Sequence, residues 1–336
     1  MPLSNPFTMK YPLILVVTFL FLVPKSMNSQ YTDVINSNRP GQSFGAYAVG
    51  KNVVQAEIGV TMERDEHVKL FTESDFLGAD IALRYGFLFE QLEIVYEGSY
   101  VKEDILYTQT NIENTRKDFT RNRLGVKFLL YDPFKNPENN KPNLYSWKAN
   151  HGFKLKNLVP AVSVYAGANF VLGENPYYSG DPIVSPRAML ATQSRLSSRF
   201  VLITNIAYDR IGTDFPEMSY IVSVSHALGN PKWSVFLEHQ GIKSDRYADA
   251  IVRTGVAYLF NENFQADLNI ATNFKDTPSK QFGTIGFSYR LDMHKDELMP
   301  IEDQNAGENG KISSSSMKKS KKKKNKKKNK NDEIDF

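Results

Sequence analysis

A strict alternation of apolar and polar residues constrains this chain more than any other feature of its sequence. From Val54 to Met62, every second residue is apolar, and the residues between them are polar or glycine. A β-strand turns successive side chains to opposite faces, so this segment forms a strand with one apolar and one polar face. Its length matches the roughly 9 to 11 residues that a tilted strand needs to cross the hydrocarbon core of a bilayer. The pattern therefore predicts a membrane-spanning strand.

The same alternation recurs along the chain up to residue 294. The predicted strands cover residues 53–64, 76–85, 92–100, 121–131, 161–172, 187–196, 200–209, 218–227, 233–241, 250–260, 264–273 and 281–292. Their number is even, as a closed single-chain outer-membrane barrel requires. A soluble β-sandwich or β-helix would also alternate, but it has no need for so many strands of nearly uniform bilayer length. We therefore predict an all-β fold, a twelve-stranded antiparallel transmembrane β-barrel in the cell outer membrane.

The links between the predicted strands agree with this topology. Outer-membrane barrels have short periplasmic turns and longer external loops. If the first strand runs outward, the periplasmic links are short except for residues 132–160, and the external links are longer in nearly every case. We interpret residues 132–160 as a periplasmic excursion. Aromatic residues should gather at both membrane interfaces, and we place Phe76 and Tyr100 at the outer one and Trp233 and Tyr289 at the periplasmic one.

Four segments of the chain differ in composition. Residues 1–29 combine a basic residue, a short apolar run and a polar end, which is the organisation of a secretory signal peptide. Residues 30–52 are turn-rich, and we assign them to a periplasmic lead, whereas residues 53–294 carry the barrel pattern. Residues 295–336 form a low-complexity, Lys-rich segment that cannot bury a core, so we predict a disordered periplasmic tail there.

Charge and cysteine content limit the partners. The chain has no cysteine, which excludes disulfides and thiolate metal sites. The net charge is +4, but residues 311–330 hold eleven lysines and no acid, and acidic residues outnumber basic ones elsewhere. We expect outer-membrane lipid around the barrel and an anionic periplasmic partner at the tail, and no nucleic acid, because exported chains rarely meet it. The predicted tail contacts are Lys318, Lys319, Lys321, Lys322, Lys323 and Lys324.

Charged residues occupy the inward positions of the predicted strands. They form a set of six acids and seven bases: Glu57, Asp80, Arg84, Glu93, Glu97, Arg123, Lys127, Arg187, Arg195, Glu238, Arg253, Asp267 and Arg290. Opposite charges fall on neighbouring strands, so we expect ion pairs across the lumen. One interpretation is a selectivity lining for a small polar or amphipathic solute. The other is that these charges fill the barrel and brace one another, because twelve strands enclose less space than an aqueous porin does.

No constellation of residues predicts catalysis. His226 and His239 share the outward face, but the directions of their strands put them near opposite rims of the barrel, so they cannot form one site. The other histidines have no metal-ligand spacing. We therefore predict no enzyme activity, no cofactor and no metal.

With the strands assigned, the chain resembles a known family. The residues that carry the likeness are Asn38-Arg39-Pro40-Gly41, Val49-Gly50-Lys51, Gln55 to Gly59, Asp276-Thr277-Pro278 and the closing Gly283 to Leu291. They resemble the outer-membrane transporter proteins of the MetA-pathway-of-phenol-degradation family, in the version common among Bacteroidota. The resemblance implies an outer-membrane barrel and a transport role. It names no substrate and no catalytic residue.

The lead has a predicted role of its own. We expect the rigid turn at Arg39, Pro40 and Gly41 to enter the periplasmic mouth and to set Arg39 against the acids of the first three strands. For the whole chain, the leading hypothesis is passive, narrow-pore passage of a small organic solute. The alternative is a closed structural or assembly-associated barrel that docks periplasmic partners through its basic tail.

Overall fold

The structure, a computed structural model, describes residues 34–135, 144–146 and 155–294. The predicted signal peptide and Lys-rich tail lie outside the described residues, as does much of the 132–160 segment. Among the described residues, no helix combines the length and the apolar character needed to cross a membrane.

Twelve strands form one closed antiparallel barrel, which confirms the predicted fold class. The strands are β1 Val53–His67, β2 Thr72–Gly86, β3 Leu92–Tyr107, β4 Ile112–Tyr131, β5 Ala161–Phe170, β6 Val184–Arg195, β7 Phe200–Asp209, β8 Glu217–Ala227, β9 Trp233–Ser244, β10 Ala248–Asn261, β11 Phe264–Asn273 and β12 Ser279–Asp292. A short 3₁₀ helix, Leu155–Leu158, precedes β5. Each strand pairs with the next, and β1 pairs with β12 through a register that includes Val54 and Leu291. Closure leaves no unpaired edge, which a barrel in lipid requires.

The first four strands are longer than the sequence predicted. The prediction assigned residues 65–74 and 103–120 to external loops, but the ladders continue through them to tight turns at residues 68–71 and 108–111. On the outward face of β1, the apolar residues end at Met62, and the charged residues Arg64 and Glu66 follow above the membrane. Period-two apolar alternation therefore disappears there, although the backbone pairing continues.

The two faces of the barrel differ as the alternation requires. Outward residues such as Ile58, Leu237 and Ile285 are apolar and exposed, which is the surface that lipid covers. Aromatic pairs lie at both ends, Trp233 with Tyr258 at the periplasmic end and Tyr100 with Phe119 at the outer end. These features are those of an outer-membrane barrel. Phe76, which the sequence analysis counted with the outer aromatic residues, lies on the inward face instead.

The lead lies inside the barrel. Residues 34–52 enter past the β11 end, where the Ile35 N–H donates to the carbonyl oxygen of Glu262. The chain crosses the lumen near Gln42, returns along β6 and β4, and leaves beside Gly86 to begin β1. The sequence assigned this segment to the periplasm because it shows no periodicity. Its polar backbone is instead satisfied by inward side chains, which a sequence pattern does not reveal.

Candidate functional site

Two acids on the barrel wall hold the turn of the lead. Arg39 donates to Asp267 of β11 through Nε and Nη2, at 3.2 and 3.0 Å from Oδ1, and the Asp267 side chain is fully buried. Glu238 of β9 accepts from the backbone N–H groups of Gln42 and Ser43 and pairs with Arg253 at 3.1 Å. Such charge-assisted bonds are stronger than bonds between neutral groups. They fix the middle of the lead across the lumen.

A fully buried network holds the returning part of the lead. Glu93 of β3 lies between Arg84 Nη2, at 3.0 Å, and Lys127 Nζ, at 2.8 Å, and none of the three side chains is exposed. Lys127 also donates to the carbonyl oxygens of Gly45 and Tyr47, at 2.7 and 3.0 Å. The lead therefore supplies acceptors that these buried cations need, and without them the cations would be buried with unpaired donors.

The structure brings several predicted lumen residues into contact. Glu93 meets Lys127, and Glu238 meets Arg253, as their neighbouring strands suggest. The rest divide by position. Glu57 contacts the lead, and Asp80 accepts a hydrogen bond from Thr61 near the outer cavity. Arg195 lies over the ring of Tyr47, and Arg290 lies at the periplasmic end beside Asn263. Glu97, Arg123 and Arg187 line a small recess.

The hypothesis for Arg39 needs a correction. Its guanidinium pairs with Asp267 of β11 and not with an acid of β1, β2 or β3. Glu57, the acid of β1, instead accepts a hydrogen bond from the backbone N–H of Asn38, at 3.2 Å. Pro40 presents its carbonyl oxygen to Asn269, and Gly41 lies so close to the Glu238 carboxylate that a side chain there would displace it. The turn sits deep in the lumen, where its partners come from strands far apart in the sequence.

An outer vestibule of about 940 Å³ occupies the other half of the lumen. Its wall carries aromatic rings, including Phe76, Tyr107 and Phe282, and paired charges. Lys280 Nζ lies 2.7 Å from Glu63 and 2.6 Å from Asp65. The vestibule ends on the lead, since Gln42 is part of its lining.

Asp65 of the vestibule lies above the membrane, where β1 has become polar on its outward face. Burial raises the pKa of Asp65 to about 7, and Lys280 lowers the pKa while Glu63 raises it further. Burial and a hydrogen bond to Asp249 also raise the pKa of Tyr247 above its ordinary value. Part of the vestibule charge therefore changes near neutral pH.

A smaller recess of about 250 Å³ opens from the side of the vestibule. Arg121, Arg123, Arg187 and Glu97 line it together with Phe44 of the lead. Arg121 and Asp209 are not among the lumen residues predicted from the sequence, although Asp209 pairs with both Arg123 and Arg187. Asp209 is the last residue of β7 and falls at an inward position of the alternation, which is the sequence signal that could have identified it.

The two outward histidines lie apart. His226 stacks on Phe200 at the periplasmic end, and His239 lies beside Tyr220 toward the outer end. In the part of the chain that the structure describes, no group of three or more histidine, cysteine or acidic residues could hold a metal ion. The absence of enzyme activity stays a prediction.

Fold and lumen together define an outer-membrane β-barrel whose own N-terminal segment lies in its lumen. Residues 37–291 match the model of the family described as "Putative MetA-pathway of phenol degradation", and the chain belongs to this family. The narrower likeness to Bacteroidota members stays a prediction. A comparison with curated proteins finds no match.

Solved outer-membrane barrels share the general architecture at low sequence identity. The COG4313 outer membrane channel from Pseudomonas putida F1 is 8% identical, with 76% of this chain and 100% of that chain covered and a TM-score of 0.46. The NanC porin is 8% identical over 70% of this chain and 100% of that chain, with a TM-score of 0.44. The CymD monoaromatic hydrocarbon channel is 10% identical over 73% of this chain and 90% of that chain, with a TM-score of 0.37.

Proposed function

We propose that the barrel passes a small organic solute across the outer membrane and that the lead controls this passage. The observation that carries the proposal is the division of the lumen. A vestibule of about 940 Å³ leads from the external side to the lead, and the lead crosses the lumen below it. A solute that enters from outside meets the turn at Gln42, and it reaches the periplasm when that turn moves aside.

The inward charges then have a double role. The charges toward the periplasmic end hold the lead, and those of the vestibule face the solute, as the lining interpretation of the sequence suggests. Because Arg39 and Gln42 are held by hydrogen bonds and ion pairs, water can replace these contacts when the turn moves. Exchange of this kind is compatible with reversible opening.

A covalent link between lead and barrel tests the proposal. The hydroxyl oxygens of Ser37 and Ser288 lie 2.7 Å apart, and the natural chain has no cysteine. We expect the double variant Ser37→Cys/Ser288→Cys to form a disulfide that retains the lead on β12. In proteoliposomes, solute entry should stop under oxidising conditions and return after reduction. The single variant Ser37→Cys is the matched control, and its permeability should not respond to the reductant.

A different outcome would overturn the role of the lead. If the oxidised double variant remains as permeable as its reduced form, solute passes without displacement of the lead at this contact. Mass spectrometry of the oxidised protein establishes that the disulfide has formed. Solutes of increasing size, tested in the same vesicles, give the width of the open path.

The second candidate is a closed structural barrel that docks partners. It is favoured by the complete burial of Arg84, Glu93 and Lys127 beneath the lead, which is the packing of a permanent core. This function predicts no solute entry in either redox state. Its proposed periplasmic partner is anionic and binds the lysines of residues 311–330, and pull-down with and without those residues tests the contact.

A further inference from the structure

The recess beside the vestibule contains buried polar atoms whose hydrogen-bonding capacity is unused. Arg187 uses Nη1 for Asp209, but its Nε makes no hydrogen bond within the described residues. Glu97 Oε2 lies 4.0 Å from Arg123 and likewise accepts none there. Both residues are more than nine-tenths buried and line the recess. One unused donor and one unused acceptor therefore belong to two residues that line the same small cavity.

The charges around the recess limit what can fill it. Arg121 lies 3.6 Å from the other carboxylate oxygen of Glu97, and Asp209 pairs with Arg123 and Arg187. Glu217 lines the cavity, and Asp209 lies outside its lining but pairs with two of the arginines, so three acids balance three guanidinium groups. A charged occupant would lose its hydration without gaining a net opposite charge, which is costly. The balance favours a neutral molecule.

The remaining wall is apolar, and part of it belongs to the lead. Phe44, Met189 and Ala207 are buried in one cluster and line the recess, and Ile221, on the strand paired with that of Ala207, lines it as well. Gln42 of the lead accepts from Arg121 at 3.0 Å and borders the cavity. The volume of about 250 Å³ lies just below the range of roughly 300 to 1,000 Å³ typical of pockets for drug-sized ligands. A compact apolar body with one polar group fits these surroundings.

We propose that this recess binds a small neutral solute through a hydroxyl group. The hydroxyl oxygen accepts from Arg187 Nε, its proton is donated to Glu97 Oε2, and the carbon body lies against Phe44, Met189 and Ala207. A hydroxyl is the smallest organic group that both donates and accepts a hydrogen bond. The site deepens the proposed passage function and rests on it for its role. Since Phe44 and Gln42 belong to the lead, a bound solute also contacts the segment that must move.

Three ligands of similar size and different polar groups test the proposal. They are cyclohexanol, methylcyclohexane and cyclohexanecarboxylate, added to the full-length protein in detergent. The reporter is the ¹³C-labelled methyl group of Met189, assigned through Met189→Leu. Met62 on the lipid-facing side is an internal control, because its side chain is exposed there and detects ligand that only dissolves in the micelle. Binding in detergent needs no passage, so this result is independent of the vesicle experiment.

We expect cyclohexanol to shift the Met189 signal to saturation while Met62 shows no saturating response. The hydrocarbon and the carboxylate should bind about tenfold more weakly or worse, because the hydrocarbon has neither donor nor acceptor and the carboxylate has no donor and carries a charge. Arg187→Lys retains the positive charge but removes the Nε donor, and it should weaken cyclohexanol binding about tenfold. Glu97→Gln should weaken it as well.

The control variant is Asp80→Asn, which changes an inward acid that borders the vestibule and not the recess. Its cyclohexanol affinity should equal that of the natural protein. Circular dichroism and heat-modifiable electrophoresis check that each variant is folded. Equal binding of all three ligands, no saturating shift at Met189, or unchanged affinity in folded Arg187→Lys would each overturn the proposal.

Discussion

The two halves of the lumen are built from similar residues but differ in what covers them. In the periplasmic half, Arg84, Glu93 and Lys127 are fully buried, and the lead takes up their remaining hydrogen bonds. In the outer half, Lys280, Glu63 and Asp65 form comparable ion pairs around an open cavity, and their side chains keep some exposure. Charge alone therefore does not decide whether this lumen is open. The lead does, because it fills one half and stops at the other.

The largest expected effect follows from removing Arg84. It donates to Glu93 and to the carbonyl oxygen of Asn36 at 2.8 Å, so Arg84→Met leaves a buried carboxylate with one cation fewer and releases part of the lead. Breaking a buried pair in this way typically costs about 3 to 5 kcal/mol. Urea unfolding of the refolded barrel measures the change in free energy. A loss below about 1 kcal/mol would mean that the periplasmic half resembles the outer half in its energetics.

A smaller and more local effect is expected at Arg39. Arg39→Ala removes the bonds to Asp267 and leaves that buried carboxylate unpaired, which should weaken docking of the turn by about 3 kcal/mol, the lower end of the range for a broken buried pair. We expect faster hydrogen exchange at the Gln42 and Ser43 amides and a larger conductance in planar bilayers. The double variant Arg39→Ala/Asp267→Ala removes the unpaired charge and should recover part of the docking. If hydrogen exchange and conductance are unchanged in Arg39→Ala, the turn at Arg39 does not control the opening of the lumen.

Sequence patterns could predict the barrel wall because its rule is local. Alternation at each position fixes which residues of β1 face lipid, and neighbouring strands bring Glu93 close to Lys127 without further information. The lead could not be located in this way. Arg39 and Asp267 are 228 residues apart, and the lead has no periodicity that indicates burial. Its acceptors are mostly backbone groups, such as the carbonyl oxygen of Tyr47, which every residue type possesses.

A pH dependence should distinguish the outer half. Asp65 has a pKa of about 7 in the folded protein, above its ordinary 3.8, so the folded state holds this proton more tightly than the unfolded state does. Its stabilising contribution is complete below about pH 4 and is lost as the pH rises to about 7, by at most about 1.4 kcal/mol per pH unit. Asp65→Asn cannot lose a proton, so its advantage over the natural protein should grow across that interval. The prediction is contradicted if the difference in unfolding free energy between Asp65→Asn and the natural protein is the same at every pH in that interval.

The smallest effect is expected at an ion pair with the same geometry as the buried one. Arg64 Nη2 lies 3.0 Å from Glu73, the distance that also separates Arg84 from Glu93, but the Arg64 side chain is 69% exposed and that of Arg84 is 0% exposed. Exposed pairs of this kind contribute about 0.2 to 1 kcal/mol, and salt screens them. Arg64→Met should therefore change the urea unfolding free energy by less than about 1 kcal/mol, in the assay used for Arg84→Met. If the two variants lose equal stability, the lead is not what distinguishes the halves of the lumen, and the ladder that joins β1 to β2 would have to account for both losses.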